Sequence, residues 1–357
     1  MRITIALPAY WNTPIGGYHV QYQYANLLTQ RGHDVTVAFP RHLAPGRPVR
    51  SRVGTALWAW GLRRRNRPLI GSFPLDPRVR VRLLRDLSGG ALPRADVLVA
   101  TAWQTAEAMA GAPARCGRKV YVVYDYEHLM TAGPDIRARI EATYRMPYTL
   151  VATSAIVEET IRRCGGAPVA TIPCGVDFAA FGLDVALDQR APLTVGFPAR
   201  AEAFKGTADA AAAAELLRAR YGDQLRVAAF GSSNPGLPGW IEWHQYPSQA
   251  ELRRFYNGQA VFMVPSHYEG WGLPGVEALA CGAALVTTDN GGCRDYAMDG
   301  RTALVVPPGQ PGALADAVAR MFGDDALRVR LAQAGHGFVQ RYTWDGAVDG
   351  LERVLRS

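Results

Sequence analysis

Lysine is almost missing from this chain. Of its 39 basic residues only Lys119 and Lys205 are lysines, and the formal net charge of +8 rests on arginine. Such a bias fits a GC-rich genome, and it makes Lys205 conspicuous. A basic balance also suits anionic substrates or a membrane surface. Cysteine is sparse: five residues, scattered and without C-x-x-C spacing. That argues against a disulfide framework or a zinc site and fits free thiols in a reducing cytoplasm. No apolar run approaches the roughly 18 residues that a membrane span needs. The N-terminus runs straight into an apolar strand, Ile3–Leu7, without a signal-peptide pattern. No repeat of 20–50 residues is visible, and no nucleic-acid partner is expected.

What the chain does have is alternation. Strands are predicted near 2–8, 34–39, 96–100, 119–124, 149–153 and 168–172, with helices near 17–31, 103–110, 134–143 and 154–164. The second half repeats the pattern. Its strands are predicted at 193–197, 225–230, 241–244, 260–264, 284–287 and 302–305, and its helices near 207–220, 311–322, 324–336 and 345–356. Strand–helix alternation implies parallel sheets covered on both faces. At 357 residues two cores are affordable. The expected organisation is a Rossmann-like domain over 1–180, a second over 190–340, and a terminal helix over 341–357. The weakly patterned stretch Gly175–Pro192 is the expected join. Arg41–Pro93 breaks the alternation and contains Leu57-Trp-Ala-Trp-Gly-Leu-Arg-Arg-Arg-Asn-Arg67. Two readings stand for it: contact with a membrane interface or anionic acceptor, or a solvated basic helix whose tryptophans plug the core.

Three constellations carry chemistry. The segment Pro265-Ser-His-Tyr-Glu-Gly-Trp-Gly-Leu-Pro-Gly-Val-Glu277 follows an apolar strand, so Glu269 falls in a Gly-rich loop and Glu277 just inside a helix. Ligands of open α/β sheets bind at such strand ends. Carboxylates there suit sugar and ribose hydroxyls. An acid/nucleophile pair of a glycoside hydrolase is the alternative, but both glutamates come from one short segment, as for a ligand-holding pair. The second constellation is Arg200 and Lys205, in the loop before an Ala-rich helix, with Thr207 as the expected N-cap. Two cations converging on a helix N-terminus suit a diphosphate. The third is Gly16-Gly17, after the first strand, where backbone N–H groups can approach a ligand. It is not the G-x-G-x-x-G fingerprint. Asp125 and Glu127, after strand 119–124, imitate a D-x-D/E metal pair without further ligands nearby. With Tyr124 and His128 they are candidates to touch a sugar or an acceptor hydroxyl.

Taken together, these residues resemble a retaining glycosyltransferase of the GT-B fold, in family four. The likeness runs through Leu27-Leu-Thr-Gln-Arg-Gly-His-Asp-Val-Thr-Val37, Ile172-Pro-Cys-Gly-Val-Asp177, Arg200…Lys205-Gly206 and Tyr268…Gly282, with its E-x7-E spacing. Val123–Glu127 with Ala142-Thr-Tyr-Arg145 is similar to a branch that includes polymer rhamnosyltransferases. The resemblance implies two doubly wound domains facing each other across a cleft, and a nucleoside-diphosphate sugar as co-substrate, with no metal or other cofactor required. It implies that Arg200 and Lys205 bind the donor diphosphate, Glu277 the ribose, and Glu269 the transferred sugar. Gly270, Trp271, Gly272 and Leu273 would offer backbone N–H groups, and Gly16 and Gly17 would approach the phosphates. Arg200, Lys205, Glu269 and Asp125 are the expected catalytic group. The acceptor would be a glycan, a glycolipid or a small molecule, and the location cytoplasmic, with peripheral contact at the inner membrane face through residues 57–67. Two departures stand out: many members carry histidine where this chain has Tyr124 or Asp125, and many carry glutamate where it has Asp295. A nucleotide-sugar 2-epimerase and a non-catalytic nucleotide-sugar-binding subunit are the competing readings.

Overall fold

The computed structural model describes residues 1–10, 16–41, 73–124, 126 and 130–357. The chain forms two compact units. One comprises Met1–Thr153, Val157–Ile172 and Val348–Ser357; the other comprises Ser154–Ile156 and Pro173–Ala347.

The first unit holds strands β1 (Arg2–Ala6), β2 (Asp34–Pro40), β3 (Arg80–Leu84), β4 (Val97–Ala100), β5 (Arg118–Val123), β6 (Thr149–Ala152) and β7 (Pro168–Thr171). They form one sheet in the order β3-β2-β1-β4-β5-β6-β7, and every pairing is parallel. Helices α1 (Gly16–Gln30), α2 (Trp103–Met109), α3 (Pro134–Thr143) and α4 (Ala155–Arg163) lie between strands in the chain. Central strands such as β4, Val-Leu-Val-Ala, are buried throughout, the continuous apolar signature of a sheet covered on both faces.

The second unit repeats the plan with β8 (Thr194–Pro198), β9 (Arg226–Gly231), β10 (Glu242–Gln245), β11 (Val261–Val264), β12 (Ala284–Thr288) and β13 (Leu304–Val306). Their order is β10-β9-β8-β11-β12-β13, again all parallel. Helices α5 (Thr207–Tyr221), α6 (Gln249–Asn257), α7 (Leu273–Ala280), α8 (Pro311–Gly323) and α9 (Asp325–Val339) follow in turn, and α10 (Trp344–Arg356) ends the chain. The core packs α5 alanines and α8 against β8, β11 and β12, through Ala210, Ala213, Leu314, Val318, Phe197 and Met263. Helix α5 reads Thr-Ala-Asp-Ala-Ala-Ala-Ala-Ala-Glu-Leu-Leu-Arg-Ala-Arg-Tyr, with Asp209 in its first turn and Arg218 and Arg220 in its last. Alanine propensity and charges that complement the helix dipole both favour it.

The expectation of two parallel-sheet Rossmann-like α/β domains holds. One strand was not anticipated: β3 lies inside the Arg41–Pro93 stretch and pairs with β2 at the sheet's edge. Arg80 and Arg82 alternate with half-buried apolar residues along it, so an edge strand there reads as part of a basic loop. The Trp/Arg run 57–67 lies outside the described residues. Among those described, no helix is long and apolar enough to cross a membrane.

Candidate functional site

In each sheet the strand order reverses once, between β1 and β4 and between β8 and β11. Diverging connections at such a switch point leave a crevice beyond the carboxyl ends of the two strands. In the second unit both strands that flank the reversal run into loops bearing charged side chains.

The loop after β8 is closed by Thr207. Its Oγ1 donates to the Arg200 carbonyl at 2.8 Å and accepts from the Arg200 N–H at 2.8 Å. Thr207 is thus the first helical residue, not the expected N-cap, and Gly206 takes the cap position in left-handed conformation (φ 67°). Glycine is needed there twice over: a Cβ at Gly206 would lie 2.0 Å from the Pro265 carbonyl oxygen, and other residues resist that φ. The loop therefore presses directly on the end of β11. The Arg200 guanidinium lies 5.8 Å from the centroid of the Phe230 ring, and its Nη1 donates to the Ala199 carbonyl at 3.0 Å.

From the other side, the loop after β11 reaches back. The His267 N–H donates to the Phe204 carbonyl at 2.7 Å, and His267 Nε2 meets Asp209 Oδ2 at 2.6 Å. These contacts bring Lys205 Nζ to 3.0 Å from Glu269 Oε2, while Ser266 Oγ donates to Glu269 Oε1 at 2.7 Å. Both members of the ion pair are mostly shielded, at 21% and 14% side-chain exposure, which strengthens their coupling relative to a surface pair. The main chain of Glu269 is fixed as well. Its N–H donates to the Asn290 carbonyl, and its carbonyl accepts from the Gly292 N–H, each at 3.0 Å. A Cβ on Gly292 would come within 2.7 Å of both the Glu269 carbonyl oxygen and the Trp271 nitrogen, so this glycine permits the close approach.

The Gly270–Leu273 loop turns into α7 through Gly272, in left-handed conformation (φ 88°), with Pro274 in the first turn. Tyr296 Oη donates to the Gly272 carbonyl at 3.1 Å. Trp271 is 4% exposed, with its ring edge-on to Tyr296 and Tyr342. What Trp271 can present to a ligand is therefore its backbone. Glu277, on α7, accepts from Tyr256 Oη at 2.8 Å. Burial pushes its carboxyl up to about 7, against the opposing pull of the Tyr256 hydroxyl and the Arg200 guanidinium.

Arg200, Lys205, Glu269 and Glu277 thus share one edge of one sheet, with the loop Gly270–Leu273 beside them. The remaining described candidates, Gly16, Gly17 and Tyr124, belong to the first unit. Gly16 and Gly17 open α1 in the first unit and are exposed, and no described atom would obstruct a Cβ at Gly17. Tyr124 follows β5, also in the first unit, and is half-buried. Asp125, Glu127 and His128 lie outside the described residues. Among the described residues, no group of three or more His, Cys, Asp or Glu could hold a metal ion. Sequence reading missed Ser266, Tyr256 and the Asp209–His267 pair. Ser266 stands three residues before Glu269 and was within reach, but nothing in the pattern of α6 marks Tyr256 as a partner of Glu277.

Residues 16–180 match the family model described as Glycosyltransferase Family 4, and residues 189–338 the model described as Glycosyl transferases group 1. Among curated proteins, a D-inositol 3-phosphate glycosyltransferase of Acidothermus cellulolyticus is 35% identical over 105 residues, 29% of this chain and 23% of that protein. A glycogen synthase of Mycobacterium tuberculosis is 29% identical over 210 residues, 55% of this chain and 50% of that protein. The matches thus span half or less of these relatives' length. Among solved structures, sucrose-phosphate synthase from Thermosynechococcus elongatus superposes with a TM-score of 0.76 at 17% identity, covering 99% of this chain and 98% of that one. Anabaena HepE in complex with UDP and glucose gives 0.74 at 15%, covering 100% and 99%. At these identities the structural likeness establishes the fold.

Proposed function

We propose that this chain, which carries a Glycosyltransferase Family 4 domain followed by a Glycosyl transferases group 1 domain, moves a sugar from a nucleoside-diphosphate sugar to an acceptor hydroxyl with retention of anomeric configuration. One observation carries the reading: Lys205 Nζ stands 3.0 Å from Glu269 Oε2 at the switch point of the second sheet. A sugar 1-diphosphate presents an anionic phosphate and ring hydroxyls within a few bonds of each other. A cation and a carboxylate in contact, both on fixed loops, match that pairing. Arg200 adds a second cation on the same loop, and Glu277 is the carboxylate for the ribose hydroxyls. The HepE structures with UDP and with UDP-glucose support a uridine nucleotide as the first donor to try.

In the proposed reaction the bond from the anomeric carbon to the diphosphate oxygen breaks, and a bond to the acceptor oxygen forms on the same face of the sugar. The acceptor proton passes to the departing diphosphate. Negative charge gathers on that diphosphate in the transition state, where Arg200, Lys205 and the N-terminus of α5 stabilise it electrostatically. Glu269 orients the transferred sugar, and no metal is assigned a part. The acceptor is a glycan, a glycolipid or a small molecule. Peripheral membrane contact through residues 57–67 is part of the proposal for a lipid-linked acceptor, and co-sedimentation with anionic vesicles tests it.

Incubating the protein with a panel of nucleotide sugars, with and without acceptors, tests the reading. Transfer that needs an acceptor supports it. Conversion of donor alone into its 2-epimer replaces it with an isomerase, and binding without turnover replaces it with a binding subunit. Lys205→Ala is expected to lower kcat/KM roughly a hundredfold or more, because it removes a charge-assisted contact made to the leaving group. An unchanged kcat/KM contradicts the assigned role.

A further inference from the structure

Arg190 belongs to the segment that precedes β8, and only 4% of its surface is exposed. Among the described residues, no carboxylate pairs with it. Its Nη1 donates to the carbonyls of Tyr256 (3.0 Å) and Gln259 (2.7 Å), and its Nη2 to the carbonyl of Cys281 and, at 3.5 Å, to Asn257 Oδ1. Its Nε has no hydrogen-bond partner among the described residues. A buried guanidinium without a counter-ion is unfavourable unless something else needs it.

The carbonyls it collects explain its place. Tyr256 lies in the last turn of α6, Gln259 directly follows that helix's cap residue Gly258, and Cys281 caps α7. The last carbonyls of a helix lack intrahelical partners and carry the negative end of its dipole. One planar guanidinium therefore ties two helix ends together. The same two helices bear Tyr256 and Glu277, whose side chains meet at 2.8 Å. The Cys281 N–H, in turn, donates to the Glu277 carbonyl at 3.0 Å. The neighbouring segment is fastened to the same spot, since Asn257 Oδ1 accepts from the backbone of Asp184 and Val185 at 2.7 and 3.2 Å. Gly282 lies beneath it all. A Cβ there would meet Leu183, Leu187 and Arg190 Nη2 at 2.5, 2.7 and 3.0 Å.

We propose that Arg190 is a positioning residue for Glu277: by clamping the carboxyl ends of α6 and α7 it fixes the carboxylate and its tyrosine partner at the separation that nucleotide binding requires. The inference rests on the reading of Glu277 as the ribose-holding group. A double-mutant cycle read by calorimetry with UDP tests it. Arg190→Lys keeps the charge but cannot bridge both helix ends as a fork. It is expected to weaken UDP about tenfold, to leave inorganic pyrophosphate binding unchanged, and to have no further effect in a Glu277→Gln background. A purely structural arginine would lower Tm and leave the affinity of the folded protein intact, or give losses that add to those of Glu277→Gln. Either result overturns the inference. Tyr256→Phe, which keeps the ring and removes only the hydroxyl link, supplies a second arm. Its UDP loss must also vanish in the Glu277→Gln background, and an undiminished UDP affinity in Tyr256→Phe overturns the proposal even if Arg190→Lys does not fold. Wild-type protein that binds none of UDP, ADP, GDP or dTDP overturns the donor reading and this inference with it, whereas UDP binding with additive losses overturns this inference alone.

Discussion

Glu277 shows how a single residue is set by its surroundings. Burial holds its carboxyl at about 7, above the ordinary 4.5. The folded chain then binds the proton more tightly than the unfolded chain does. The associated stability is complete below about pH 4.5 and is lost as the pH rises through about 7. Glu277→Gln, which cannot ionise, should accordingly raise Tm at pH 8 and lose that advantage near pH 4.5, as read by calorimetric scans across the range. Ligand binding should run the opposite way. An ionised carboxylate accepts from ribose hydroxyls better than a neutral one, so UDP affinity should strengthen between pH 6 and pH 8 more steeply in the wild type than in Glu277→Gln, which retains only the part due to ionisation of the terminal phosphate. At this scale the sequence was informative about charged residues and silent about their partners. Glu269 and Glu277 could be picked out because they sit in a Gly-rich segment after an apolar strand. Ser266, three residues before Glu269 on the same loop, was within reach; Tyr256 was not, since its hydroxyl meets Glu277 only once α6 and α7 come together in space.

At the level of elements, the site depends on backbones that touch. Gly206 carries α5 against Pro265, and Gly292 carries the loop after β12 against Glu269. Gly206→Ala would force a Cβ into the Pro265 carbonyl at an unfavourable φ. It is expected to destabilise the fold by more than about 1 kcal/mol and to separate Lys205 from Glu269, which denaturant unfolding and UDP titration would reveal together. A stable variant with unchanged affinity would contradict the proposed contact. Most strands and helices could be placed from their apolar runs and glycine stops. The edge strand β3 could not, because alternating arginines face outward along it. The N-cap of α5 was also misplaced. Thr207 has the right chemistry for a cap, but the tight turn at Gly206 leaves its hydroxyl bonded to Arg200 instead.

Across the whole molecule, the alternation of strands and helices was enough to read two parallel-sheet units. It did not show that β8 and β11 are neighbours. That adjacency comes from the strand order, and it is what brings two loops far apart in sequence to one edge. The end of the chain has its own anchor in the first unit. Glu352, on α10, accepts from Arg356, Arg31 and His33, and the Arg356 and Arg31 bonds above all hold its carboxyl down at about 2. A depressed carboxyl pKa stabilises the fold above about pH 4.5, and that contribution disappears as the pH falls towards 2. Glu352→Gln should cost on the order of 1–2 kcal/mol at pH 7, allowing for the exposure of its arginine partners. The difference from wild type should narrow steadily in urea unfolding as the pH falls from 4.5 towards 2.

The central claim is that the edge formed by Arg200, Lys205, Glu269 and Glu277 binds the nucleoside diphosphate of a sugar donor. Calorimetric titration of UDP, ADP, GDP and dTDP into the wild type and into Lys205→Ala tests it most directly. Saturable one-site binding of at least one of them is expected of the wild type, weakened at least tenfold in Lys205→Ala while the fold is retained. Absence of binding across the panel, or equal affinity in the two proteins, would contradict it.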